Sequence, residues 1–258
     1  MGIARAWTAF CTILIKEVRR FLRIWPQTLL PPVITMSLYL VIFGRVVGAR
    51  IGDIGTVSYT LFVVPGLIMM SVISNSYNNV ASSFFSNKFQ RSIEELQVAP
   101  VPHWIILSGF VLGGVTRGLL TALVVMGLSF FFVDLPFHSV TISLCAILLT
   151  ATIFSLGGFL NGMLSRKFDD VTIVPTFILT PLTYLGGVFY SLSVLPDTWY
   201  LISRFNPVVY QINALRYGLL GQSDLGEVGL SFVVMVSIAA ILFAVCLYFL
   251  KTGKGLRS

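Results

Sequence analysis

The sequence predicts an all-α membrane protein: six transmembrane helices, an N-terminal amphipathic interfacial helix before them, a short cytoplasmic helix after the second, and short re-entrant helices on the outer face. Three observations predict this. The 258 residues are 56% hydrophobic and 10% charged, with a mean hydropathy of +0.92, far from the roughly 25% charged of soluble domains. Six apolar runs are long enough for a hydrocarbon core of about 30 Å, which needs about 20 residues per helix. The basic residues cluster between those runs in a one-sided pattern.

Residues 4–25 precede the first run. On a helical wheel Trp7, Phe10, Leu14, Val18, Phe21, Leu22 and Trp25 fall on one side, with Lys16, Arg19, Arg20 and Arg23 opposite. Such a helix lies in the interface plane, tryptophans at headgroup depth and cations toward anionic lipid. A cleavable signal peptide is not expected, because the leader is too long and the next apolar stretch is a full span. Pro26 to Pro32 are expected to break the chain. Spans are then expected at about 28–48, 58–84, 104–133, 140–165, 171–190 and 228–250, all in one domain covering 1–258. The fifth carries Pro175, Pro181, Gly186 and Gly187, so a broken helix sheltered from lipid is expected there.

Lys and Arg counts set the orientation. Arg5, Lys16, Arg19, Arg20, Arg23, Lys88, Arg91, Arg166, Lys167, Lys251, Lys254 and Arg257 fall on one side, against Arg45, Arg50, Arg204 and Arg216 on the other. Both termini are therefore expected to be cytoplasmic. This pattern also accounts for the net charge of +7 without a nucleic-acid partner. Cys11, Cys145 and Cys246 stand singly in apolar stretches with no metal-like spacing and read as small core residues.

No loop of the form G-x-x-x-x-G-K-[ST] is present; the tail Lys251-Thr252-Gly253-Lys254-Gly255 only echoes it, with neither the spacing nor a preceding strand. No catalytic residues are expected, since the buried His or carboxylate clusters of a membrane enzyme are missing. His103 and His138 lie in connections and no carboxylate lies well inside a span, which weakens ion coupling. The segment Asn87 to His103 reads as a short helix with Phe89, Ile93 and Leu96 on one face, Glu94 and Glu95 beside them, and a stop at Pro100 and Pro102. That shape suits docking into a groove on a partner, or is only a solvated loop.

The second span carries Ser71, Asn75, Asn78, Asn79, Ser82 and Ser86 within a narrow arc, and the fifth carries Thr172, Thr176, Thr180 and Thr183, continued by Gly187. Uncoordinated polar groups do not face lipid. The stripes are either glue between helices or the lining of a path, and being uncharged they argue against a strongly anionic polymer held by basic side chains. Arg117 in the third span reads as an anchor able to snorkel toward the cytosol rather than as a substrate-binding charge. The connection Ser191 to Glu227 is rich in aromatics, with two short helices expected near Asp197 to Phe205 and Val208 to Leu220 at the outer face. They would gate a path or only form an aromatic belt.

Together the segments KFQRSIEELQVAPVP at 88–102, FDDVTIVPTFILTPLTYLGGVFYSLSVLP at 168–196, FNPVVYQINALRYGLLG at 205–221 and the opening RFLRIWPQTLLPPVITMSLYLVIFG resemble the ABC-2 type permeases over essentially the whole chain, and within them the YadH-type permeases of the Gram-negative inner membrane. The resemblance implies an exporter subunit that works as a homodimer with two copies of a separate ABC ATPase, of the YadG type, which would hold the ATP and Mg. It makes 88–100 the coupling helix, carried by Arg91, Ile93, Glu94, Glu95, Leu96 and Pro100, braced by the leader helix. It places the path at the dimer interface, chiefly on the second and fifth spans, through Asn75, Asn78, Asn79, Ser82, Thr176, Thr180 and Thr183. The class transports drugs, glycans and lipid-linked glycans. The competing reading is a channel or secondary carrier working without ATP.

Overall fold

The computed structural model describes residues 3–54, 57–98 and 100–255. Helix α1 (Ile3–Arg23) is followed, after a turn at Ile24, by α2 (Trp25–Tyr39), a π-helical stretch Leu40–Val47 and α3 (Gly48–Ile51), which together make one long apolar rod, Trp25–Ile51. The expected break at Pro26 to Pro32 falls instead at Ile24. Pro26 sits in the first turn of α2, where a missing N–H loses no intrahelical bond. A two-stranded antiparallel hairpin, β1 (Asp53–Ile54) and β2 (Val57–Ser58), then reverses the chain. The sequence reading had placed no strand there.

Helix α4 (Tyr59–Phe89) is the core of the bundle. It is 31 residues long, about 46 Å at 1.5 Å per residue, so one end must project well beyond the roughly 30 Å hydrocarbon core. Then come α5 (Ser92–Val98), α6 (His103–Ser129) and α7 (Val140–Leu164), the last started by the Ser139 hydroxyl, which accepts from the Ile142 N–H. The next segment is broken as expected, but more severely: α8 (Phe168–Val174), a π stretch Pro175–Leu179 and α9 (Thr180–Tyr184). A 3₁₀ turn at Leu192–Val194, α10 (Asp197–Arg204), α11 (Pro207–Leu220) and α12 (Val228–Thr252) complete the chain. Among the described residues five helices are long and apolar enough to span: Trp25–Ile51, α4, α6, α7 and α12. Residues 171–190 do not form a sixth of that kind.

What lets the helices close on α4 is small residues spaced four apart. A Cβ at Gly158 or Gly162 of α7 would run into the Tyr77 or Ala81 backbone of α4. A Cβ at Gly114 or Gly118 of α6 would meet the side chains of Ser155 and Val80 or of Ser76, and Gly109 and Gly113 admit Ile13 and Glu17 of α1. Without a hydrophobic driving force between helices in lipid, such close backbone approach supplies the packing energy. An apolar 18-residue stretch of α4 is accordingly 78% buried, against 12% for such a stretch in the first span and 17% in α12. Those two outer helices leave most of their apolar surface to lipid or to another chain.

The expected pair of short helices is present at 197–204 and 207–220, but they differ. Helix α10 is a surface element with Trp199, Leu201 and Ile202 exposed, whereas α11 is buried from Val208 to Leu219 against α4, α7 and α12.

Candidate functional site

The bundle has two polar ends, each built around an arginine. At one end, α1 turns its mixed-charge face inward against α4. Glu17 is wholly buried (0% exposed) and accepts from Ser83 Oγ at 2.8 Å and from Arg20 Nε at 3.3 Å. Arg20 also donates to the backbone and side-chain oxygens of Asn79, both at 2.8 Å. From α6, Arg117 donates to Asn75 Oδ1 at 3.0 Å and to Asn79 Oδ1 at 3.5 Å. Lys16 reaches Asn87 Oδ1 at 2.6 Å. Trp7, Arg19, Arg23 and Trp25 remain exposed. The cations expected to point together at lipid are therefore divided, with Lys16 and Arg20 bonded to α4 because its amides and hydroxyls offer acceptors that lipid tails do not.

The same end gathers α5 and the starts and ends of several helices. Lys88 belongs to α4 rather than to the following helix, and its ammonium caps α7 by donating to the Met163 and Ser165 carbonyls, both at 2.8 Å. Phe168 packs edge-on against Phe85 at 4.8 Å and lies 5.0 Å from Phe89. Asp170 Oδ2 accepts from the Arg166 and Lys167 N–H groups at 2.9 and 3.0 Å, and these bonds hold its carboxyl below the usual carboxylate range. The turn into α5 passes through Arg91, a non-glycine residue in the left-handed region at φ 58°, which is uphill by about 1 kcal/mol. Ser92 Oγ donates back to Asn87.

In α5 itself Ile93 is buried and Leu96 half-buried against the bundle and α1. The surface left facing outward comprises Phe89, Arg91, Glu95, Val98 and Pro100, with Val98 88% exposed. The apolar face expected to reach a partner is thus turned largely inward, since a seven-residue helix needs an anchor of its own. The side chain of Glu94, and Arg257, lie outside the described residues.

The polar stripe of α4 divides in two. Ser71, Asn75 and Asn79 are buried, and Asn75 and Asn79 carry Arg117 and Arg20, so this half of the stripe is not free of charge as its own composition suggested. Ser74, Asn78 and Ser82, at four-residue intervals, form an exposed ridge. In the broken segment beside α4, Thr172, Thr176 and Thr180 are exposed and Thr183 is buried. Hydroxyls here turn back onto the helix: Thr180 Oγ1 donates to the Pro175 carbonyl, which also accepts the Thr180 N–H at the end of the π turn, and Thr183 Oγ1 donates to Thr180 O.

At the opposite end Arg216 is buried, donates to Asp224 at 2.8 Å and to the Gly187 carbonyl at 2.7 Å, and stacks 3.8 Å over the Phe62 ring. Gly187 takes φ +79°, a backbone shape only glycine adopts without strain, and this presents its carbonyl. Asn213 Oδ1 collects the Ser223 hydroxyl and the Asp224 and Leu225 N–H groups. Sequence reasoning counted Arg216 as a loop charge and passed over Glu17, Asn213 and Asp224. The available signals were a single carboxylate within a basic leader and an Arg inside an otherwise apolar helix. No group of three or more His, Cys, Asp or Glu able to hold a metal occurs among the described residues.

The ends sort the basic segments as well. The start of α1, the 88–100 segment, the α7–α8 turn and the tail at Gly255, which lies against Met163, occupy one end of the bundle. A central α4, one polar end studded with basic turns, an opposite end closed by the Arg216 and Asp224 ion pair, and five helices long and apolar enough to span describe a multi-pass α-helical membrane protein. The model of the ABC-2 type transporter family matches residues 8–220, and the chain belongs to that family. Its relatives include the inner membrane transport permease YadH of Escherichia coli K12, 54% identical over 98% of both chains. Nodulation protein J of Sinorhizobium fredii NGR234 is 26% identical over 84% of this chain and 80% of its own length. Nodulation protein J of Rhizobium meliloti is 25% identical over 84% and 80%.

Proposed function

We propose that this chain is the membrane subunit of an ATP-driven exporter in the bacterial inner membrane, with both termini cytoplasmic, working as a homodimer with two copies of a separate ABC ATPase that binds ATP and Mg. The observation that carries the reading is the end of the bundle where α5 sits. A short helix is anchored inward by Ile93 and Leu96 and presents Arg91, Glu95, Val98 and Pro100 outward, beside α1 and the Lys88-capped end of α7. A force applied to α5 is transmitted through Ser92, Asn87 and Lys16 to α1 and α4. ATPase closure would draw two such helices together and shift a bistable membrane dimer toward release. The permease name of the Escherichia coli relative supports the assignment to transport.

The path is assigned to the dimer interface, where the ridge Ser74, Asn78 and Ser82 and the exposed Thr176 and Thr180 give a polar surface that lipid would not stabilise. Cysteine introduced at Ser82 or Thr176, in a chain lacking its own cysteines, should cross-link two copies in the membrane. Glu94→Lys with Glu95→Lys should abolish co-purification of the ATPase. Retention of the ATPase at parental level, with normal turnover in lipid, would remove α5 as the coupling element.

A further inference from the structure

Between α2, α4 and α6 lies an open cavity of about 320 Å³, lined among others by Gln27, Thr28, Thr35, Ser71, Asn78 and Arg117. Its central charge has no counterion. Arg117 donates only to the neutral amides of Asn75 and Asn79, and the described residues place no carboxylate within ion-pair reach of it. Glu17 is engaged by Arg20 and Ser83, so Lys16, Arg20 and Arg117 share one negative charge. The Arg117 Nε and the Ser71 hydroxyl, both buried, have no hydrogen-bond partner. An uncompensated guanidinium at this depth is costly, and its planar fork matches phosphate oxygens.

The depth and the surroundings point to a lipid. Arg20, five residues before the first span begins at Trp25, bonds the same Asn79 as Arg117, and Thr28 lines the cavity wall. The cavity therefore begins near where the span leaves the headgroup layer, at Gln27 and Thr28, and runs inward as far as Thr35 and Met36. Beside it, the outward face of α2 exposes Leu30, Ile34 and Leu38 at four-residue intervals, an apolar track for acyl chains. We infer that this cavity holds the phosphate headgroup of an anionic membrane phospholipid, with Arg117 as its ligand and the acyl chains along α2. The inference does not rest on ATPase coupling, because binding is measured on the chain alone.

The test titrates the purified full-length chain in detergent with phosphatidylglycerol, with diacylglycerol of the same chains, and with sn-glycerol 3-phosphate, read by native mass spectrometry and thermal unfolding. Phosphatidylglycerol should add one lipid per chain and raise Tm, and the other two should not. Arg117→Gln should weaken that binding by roughly tenfold, the loss of a charge-assisted hydrogen bond. Asn78→Phe, which fills the mouth of the cavity from an exposed position, should do the same and decides the matter if Arg117→Gln does not fold. Arg204→Gln on α10 should change nothing. Phosphatidylglycerol binding that survives both cavity substitutions, or diacylglycerol binding equally well, overturns the inference. A shift from glycerol 3-phosphate matching that of the lipid also overturns it and assigns the cavity to a soluble phosphate ester.

Discussion

Glu17 is the carboxylate on which the junction of α1 with the bundle is centred, meeting both Arg20 and Ser83 while fully buried. Glu17→Gln keeps the shape and removes the charge, leaving a guanidinium partner uncompensated. It should destabilise the purified chain by about 2 kcal/mol, seen as a lower Tm. In the Arg216 and Asp224 pair at the other end, Arg216 is buried and Asp224 is 16% exposed, so removing Asp224 strands a buried guanidinium. Asp224→Asn should therefore lower Tm more than the double replacement Arg216→Met with Asp224→Leu, and a double-mutant cycle measures the difference. Neither pair was legible in the sequence. Composition locates charges along the chain, but whether a cation turns toward lipid or inward depends on acceptors contributed by another segment, here Asn79 of α4 for Arg20 and Gly187 in the turn after α9 for Arg216.

At the scale of the element, the long apolar runs were legible because hydropathy alone defines a spanning helix, and α6, α7 and α12 fall close to their expected bounds. Proline was read well in the broken segment and less well at the start of the first span. Pro26 starts α2 instead of ending a segment, while Pro175 and Pro181 accompany a π stretch and reduce 168–184 to three short pieces. The glycine pairs went unread, because spacing alone does not say which glycine meets a backbone and which meets open space. Gly158 of α7 faces the Tyr77 carbonyl of α4, whereas Gly127 of α6 has nothing near it. Gly158→Ala should sharply reduce the folded yield in membranes, and Gly127→Ala should leave it unchanged or slightly raise it, since alanine is the better helix former. Fluorescence-detected size exclusion of the two variants separates the outcomes.

At the scale of the molecule, a rigid α4, α6 and α7 core is flanked by a first span and an α12 with little buried surface of their own. The family and its α-helical membrane class were legible from the order of the motifs across the chain. The division of labour along α4, structural on the Asn75 and Asn79 face and open on the Ser74, Asn78 and Ser82 face, required the packing. The central claim is that this permease moves its cargo only when a separate ATPase drives it through α5. The direct measurement is isolation of the chain from native membranes in mild detergent, followed by quantification of copurifying polypeptides and of ATP hydrolysis in the eluate. The account predicts an ATPase at about one copy per chain, with its hydrolysis lost on Glu94→Lys with Glu95→Lys. A chain that copurifies with no ATPase, and by itself dissipates an ion gradient in proteoliposomes, would contradict it.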